Sequence, residues 1–196
     1  MVKNEAKKIR EDHPTSFRGI YKSYSIKDVY ESKPFWGSII STLVLGWLFF
    51  FSDKNFYELL VVINEKVINL YPNLLGFNLG GYALIIGFGN NDLIKSLTKK
   101  GKNKKNSIFQ RLNGIFAFTL ILQAFVLIFA FITELVLSLN LDAYSDSIYY
   151  FTNGFSLFVL TFFGLWGILI LPILIANVFT FGQLHHFSLT KERIKK

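Results

Sequence analysis

The sequence predicts an all-α integral membrane protein with four transmembrane helices and both termini in the cytoplasm, and three observations predict it. Hydrophobic residues make up 52% of the chain, 22 residues are Phe, and the net charge is nevertheless +8. A soluble domain rarely combines these. The apolar residues gather in blocks of about 17 to 25, the helix length that crosses a bilayer core. Between two apolar halves lie Lys95, Lys99, Lys100, Lys102, Lys104 and Lys105, with Arg111 just beyond. Because Lys and Arg are retained in short cytoplasmic loops, this cluster sets the midpoint of the chain on the inner side.

Residues 1–33 form a basic cytoplasmic arm with eight Lys/Arg against five Asp/Glu. They show no apolar core of the signal-peptide type, so the first span is expected to direct insertion itself. Within the arm, Ser25-Ile26-Lys27-Asp28 has the spacing of a capping box, with Asp where Glu is commoner. It predicts a short helix leading toward the membrane.

The membrane domain covers residues 34–190. Its first span, 34–52, begins at Pro34, has Trp36 as an interfacial anchor, and carries Ser38, Thr42 and Gly46 as a small-residue stripe. Residues 55–71 contain Glu58, Glu65 and Lys66, yet Phe56, Leu59, Leu60, Ile63, Val67, Leu70 and Tyr71 recur at helical spacing with Glu58, Glu65 and Asn69 opposite. This pattern predicts an amphipathic helix on the outer surface, or an extension of the first span, with a packed extramembrane cap as the alternative. Pro72 is expected to close it.

The second span, 73–89, is marked on two faces. Gly76, Gly80, Ala83 and Gly87 form a helix-packing face. Asn78 and Tyr82 lie on roughly the other side and are read either as interhelical hydrogen-bonding groups or as pore-lining candidates. The basic cytoplasmic loop, 90–111, follows. The third span, 112–133, contains Asn113 and Gln123. An acidic outer loop leads to the fourth span, 155–178, where Pro172 is a candidate hinge because it deprives the carbonyl of Ile168 of its helical donor. Asn177 near its end is a third pore-lining candidate. Residues 191–196 form a basic cytoplasmic tail. In this topology the inner segments carry +3, +6 and +3 and the outer ones −1 and −3, which together give the chain's +8.

Chemistry is sparse. The histidines are His13, His185 and His186, without the spacing of a metal or acid-base site, and an adjacent pair points its rings to different sides of a helix. Cysteine is absent. An intramembrane enzyme usually places ionisable groups in its spans, and the four assigned here have essentially none. A non-enzyme, with neither cofactor nor metal, is expected.

A four-span chain of this length, with a basic N-terminal arm, a second span reading Phe77-Asn78-Leu79-Gly80-Gly81-Tyr82, and cytoplasmic lysines, resembles the small membrane effectors of bacterial anti-phage systems, such as the channel subunits of Hailong systems. The resemblance is one of overall plan and carries over no functional residue. It implies a homo-oligomeric ion channel in the cell inner membrane, controlled by an anionic nucleotide or oligonucleotide and accompanied by a nucleotidyltransferase. Independently of the resemblance, the density of the lysine cluster makes it, with Arg111, a candidate anion-binding site. The rival reading is a scaffold or adaptor whose basic face holds anionic lipid or a partner protein.

Overall fold

The computed structural model describes residues 15–87, 91–100, 106–139 and 146–194. Among the described residues the secondary structure is helical, without strands. The helices are α1 (Ser16–Ser23), α2 (Ile26–Tyr30), α3 (Lys33–Phe50), α4 (Phe56–Gly87), α5 (Asn91–Thr98), α6 (Ile108–Ser138), α7 (Asp146–Leu169) and α8 (Leu171–Ile194). Three apolar stretches are long enough to cross a membrane: Lys33–Phe50, Ile108–Ser138 and Ser147–Phe187. This is the pattern of a multi-pass membrane protein.

The chain divides into two compact units. One comprises residues 32–80 and 119–172. Its core joins Leu59, Leu60, Val67 and Tyr71 of α4 to Val126 and Ala130 of α6 and Leu157 and Leu160 of α7. α3 packs along α7 through the predicted stripe, burying Ser38 and Thr42. Phe35 meets Trp166 at the start of α3, and the cavity beside Thr42 and Gly46 reaches Leu157 and Gly154, so α3 and α7 run antiparallel. α4 runs with α7, because Phe56 lies against Gly154 and Tyr71 against Gly167. α6 runs against both, since Gln123 bonds the Gly167 carbonyl and Asn64 bonds Glu134.

The other unit comprises residues 1–31, 81–118 and 173–196, of which the described part contains α1, α2, α5, the end of α4, the start of α6 and most of α8. Its best-defined joint is at Gly114, where an added Cβ would lie 2.8 Å from Ser23 Cβ and 2.9 Å from the Ser23 carbonyl carbon. Only glycine permits this approach of the α1–α2 connection to α6. The capping box is present: the Ser25 amide donates to Asp28 Oδ2 at 2.8 Å.

Two expectations are corrected. Residues 55–71 are not a separate outer-surface helix closed by Pro72. They are the first half of α4, a continuous helix of 32 residues that contains Pro72. An interior proline costs about 3 kcal/mol, but tertiary packing holds both sides of it, through Leu60, Val67 and Tyr71 before it and Asn78 after it, all buried. The fourth span, expected over 155–178 with a hinge at Pro172, is divided between two helices close to that residue. α7 ends at Leu169, and Pro172 is the second residue of α8, where a missing N–H leaves no helical bond unmade. α6, the third expected span, also extends beyond the expected 112–133, to Ile108 and Ser138.

Candidate functional site

α4 is the unusual helix of this chain. On its buried side three polar contacts tie it to its neighbours. Asn64 Nδ2 donates to Glu134 Oε2 at 2.6 Å. The Tyr71 hydroxyl donates to the Gly164 carbonyl at 2.5 Å, with Tyr71 wholly buried. Asn78 Nδ2 donates to Gln123 Oε1 at 2.7 Å, and Gln123 Nε2 donates in turn to the Gly167 carbonyl at 3.1 Å. Such bonds fix helix register where few other polar groups can compete.

The opposite line of α4 faces outward. At 100° per residue, Glu58, Val62, Glu65, Asn69, Asn73, Gly76 and Gly80 fall within a narrow arc directly across from Leu60, Val67, Tyr71 and Asn78. All seven are exposed, with Lys66 at the edge of the arc. Ala83 and Gly87 continue the line on the same helix and are exposed too. Apolar residues flank it: Phe77 and Leu84 on one side, Val61, Leu79 and Ile86 on the other.

The outward residues of the other long helices are of a different kind. α3 presents Ile40, Leu43 and Trp47, α6 presents Ile128, Phe131 and Ile132, and α7 presents Phe151, Phe155 and Phe158. Those surfaces suit lipid; the outward line of α4 does not. The level of its polar part is set by packing. The segment from Phe56 to Tyr71 lies beside α7 from Gly154 to Gly167, a stretch with no charged residue. Glu65 and Asn69 therefore stand beside an uncharged stretch of α7, with Glu134 of α6 at the level of Asn64.

Among the predicted site residues, Asn78 is 1% exposed and turned inward, where it serves as an interhelical hydrogen-bonding group. Tyr82 is half-buried, its ring 5.7 Å from Phe116, and Asn177 is half-buried on α8. Among the described residues, a Cβ added at Gly76, Gly80 or Gly87 would find open space. Close approaches occur instead at Gly114 and Gly167. Pro172 lies in the first turn of α8.

No known family, curated protein or solved structure matches this chain.

The basic residues are placed in part. Lys95 is exposed on α5, and Lys99 and Lys100 follow its end, also exposed. Lys102, Lys104 and Lys105 lie outside the described residues. Arg111 Nη2 is 3.9 Å from Asp28 Oδ1. Burial would raise the Asp28 carboxyl, but the hydroxyl and amide of Ser25, with Arg111, more than offset it and hold the group below the usual carboxylate value.

Sequence pattern had put Glu58, Glu65 and Asn69 on one face, but had assigned them to an outer surface. It missed the joint of Tyr71 with α7. The Gly164-x-x-Gly167 spacing was the available signal, since two small residues three apart open one side of a helix.

Proposed function

We propose that the chain is a subunit of a homo-oligomeric membrane channel in the cell inner membrane, with the outward line of α4 facing a water-filled path. The observation that carries this is the coincidence on one face of Glu58, Glu65, Asn69 and Asn73 with Gly76 and Gly80, at the level of an apolar α7. Ionisable residues at membrane depth are costly against lipid and ordinarily face a bundle interior or a water-filled cavity. Copies arranged around an axis would give each α4 line water in front, while Phe77, Leu79 and Leu84 at its flanks meet neighbouring protomers. One copy offers a single polar line and cannot enclose a path.

In this reading α3, α4, α6 and α7 are the four spans, up and down in turn, with the arm and tail in the cytoplasm as the lysine distribution requires. Polar residues along the path, with Glu65 among them, favour cations. Small residues at Gly76 and Gly80 would keep one end of the path wide or let the α4 helices approach there.

The test is single-channel recording from purified protein in planar bilayers. Conductance is expected, with Glu65→Gln lowering the preference for cations and Asn69→Leu cutting current several-fold while the oligomer survives in detergent. An assembled oligomer that conducts nothing, or Glu65 and Asn69 variants with unchanged current and selectivity, would refute the proposal.

A further inference from the structure

The N-terminal helix α1 has three sides, each with its own chemistry. Ser16, Gly19, Ile20 and Ser23, with Lys22 at the edge, line a cavity of about 450 Å³ whose far wall is α6. Phe17 and Tyr21, one turn apart, form a second side and are 76% and 61% exposed. Arg18 and Lys22, also one turn apart, form the third and are exposed as well. α1 contains no acidic residue.

This helix is held firmly. Asn106 Nδ2 donates to the Lys22 carbonyl at 2.8 Å and to the Ser23 carbonyl at 3.3 Å. The backbone of Ser23 and Tyr24 lies against Gly114, and the buried Tyr24 ring is 5.1 Å from that of Phe118. These anchor points lie around the start of the apolar run of α6, which opens at Leu112. The end of α1 is therefore pinned at the level where α6 passes from polar to apolar surroundings. Two large aromatic side chains left open at that level, about a quarter-turn from two cations, have the pattern of a helix lying in a membrane interface.

We infer that α1 is an interfacial anchor for an anionic leaflet, with Phe17 and Tyr21 sunk at the boundary of headgroups and acyl chains and Arg18 and Lys22 holding lipid phosphates. A lipid surface fits better than a soluble polyanion, because a polyanion would engage the cationic side and leave the aromatic pair in water. The inference does not depend on the channel reading.

The cysteine-free chain makes the test direct. Full-length protein with a single nitroxide-labelled cysteine at Phe17, Arg18, Tyr21 or Lys22 is reconstituted in phosphatidylcholine vesicles, with and without phosphatidylglycerol. Positions 17 and 21 should be several-fold more accessible to oxygen than to a water-soluble nickel chelate, and positions 18 and 22 the reverse. Phosphatidylglycerol should increase the depth of 17 and 21, and R18Q/K22Q should abolish that increase. Equal chelate accessibility at all four positions would overturn the inference by placing α1 in water. Protection of 17 and 21 from both reagents would overturn it in favour of a protein neighbour such as a second copy. A lipid response that survives R18Q/K22Q would overturn the headgroup contact.

Discussion

Gly167→Ala probes the joint between α4 and α7. A Cβ at this position would lie 2.5 Å from the Tyr71 hydroxyl oxygen and 3.3 Å from Cε1 and Cζ of the ring. The first distance is about 0.9 Å short of an ordinary contact near 3.4 Å, and Tyr71, with no exposed surface, has nowhere to swing. Forcing a methyl group into such a site costs about 1–3 kcal/mol. Displacing the hydroxyl from the Gly164 carbonyl adds about 1 kcal/mol. Tyr71→Phe alone loses only the bond, about 1 kcal/mol, and removes the one severe clash, leaving ring contacts that need tenths of an ångström. Gly167→Ala in the Tyr71→Phe background should therefore cost less than in the wild type, with a coupling energy on the order of 1–2 kcal/mol. Unfolding in mixed micelles at rising dodecyl sulfate, followed by tryptophan fluorescence, measures all four corners of the cycle. Additive effects, or Gly167→Ala without cost in the wild type, would refute the packing argument.

Asn78→Leu should lower stability by about 0.6–1.7 kcal/mol in the same assay, the range of such bonds in bilayers, because Gln123 Oε1 loses its donor. A stability matching wild type would deny the bond its structural role. Gly114→Ala should loosen α1, since the intruding methyl meets backbone atoms of Ser23 and Tyr24 that cannot rotate away; faster amide exchange across residues 16–23 would show it. The depressed carboxyl of Asp28 makes α2 sensitive to acid. Its contribution is present above the unfolded carboxylate value, 3.8 on the reference scale, and is lost as pH falls through the lower folded value, so protection of α2 amides should drop below about pH 4 in wild type and not in Asp28→Asn. For the basic loop, labelled oligonucleotide should bind saturably at low salt and weaken as salt rises, and Gln in place of Lys99, Lys100, Lys102, Lys104 and Lys105 should weaken it further. Absence of saturable binding would confine these lysines to setting topology or touching lipid.

The helical character of the chain, its membrane-length apolar stretches, the capping box at Ser25 and the burial of Ser38 and Thr42 are legible in the residues alone. Each depends on composition or on spacing within one element, and such signals are local. The placement of Glu65 and Asn69 across from Leu60 and Val67 is legible too, because helical periodicity alone fixes which residues share a face. What each face meets depends on long-range packing. Pro72 reads as a terminator until packing on both sides of it, through Tyr71 and Asn78, holds α4 continuous. Asn78 could equally have faced water or a neighbour; the register of Gln123 on α6, 45 positions away in the chain, turned it inward. The glycines show the same division. Gly76 and Gly80 look like packing residues and stay open, whereas Gly114 and Gly167 are closed by Ser23 and Tyr71. A glycine announces only that close approach is permitted, and what approaches is set by helices distant in sequence, whose positions follow from burying the whole core at once.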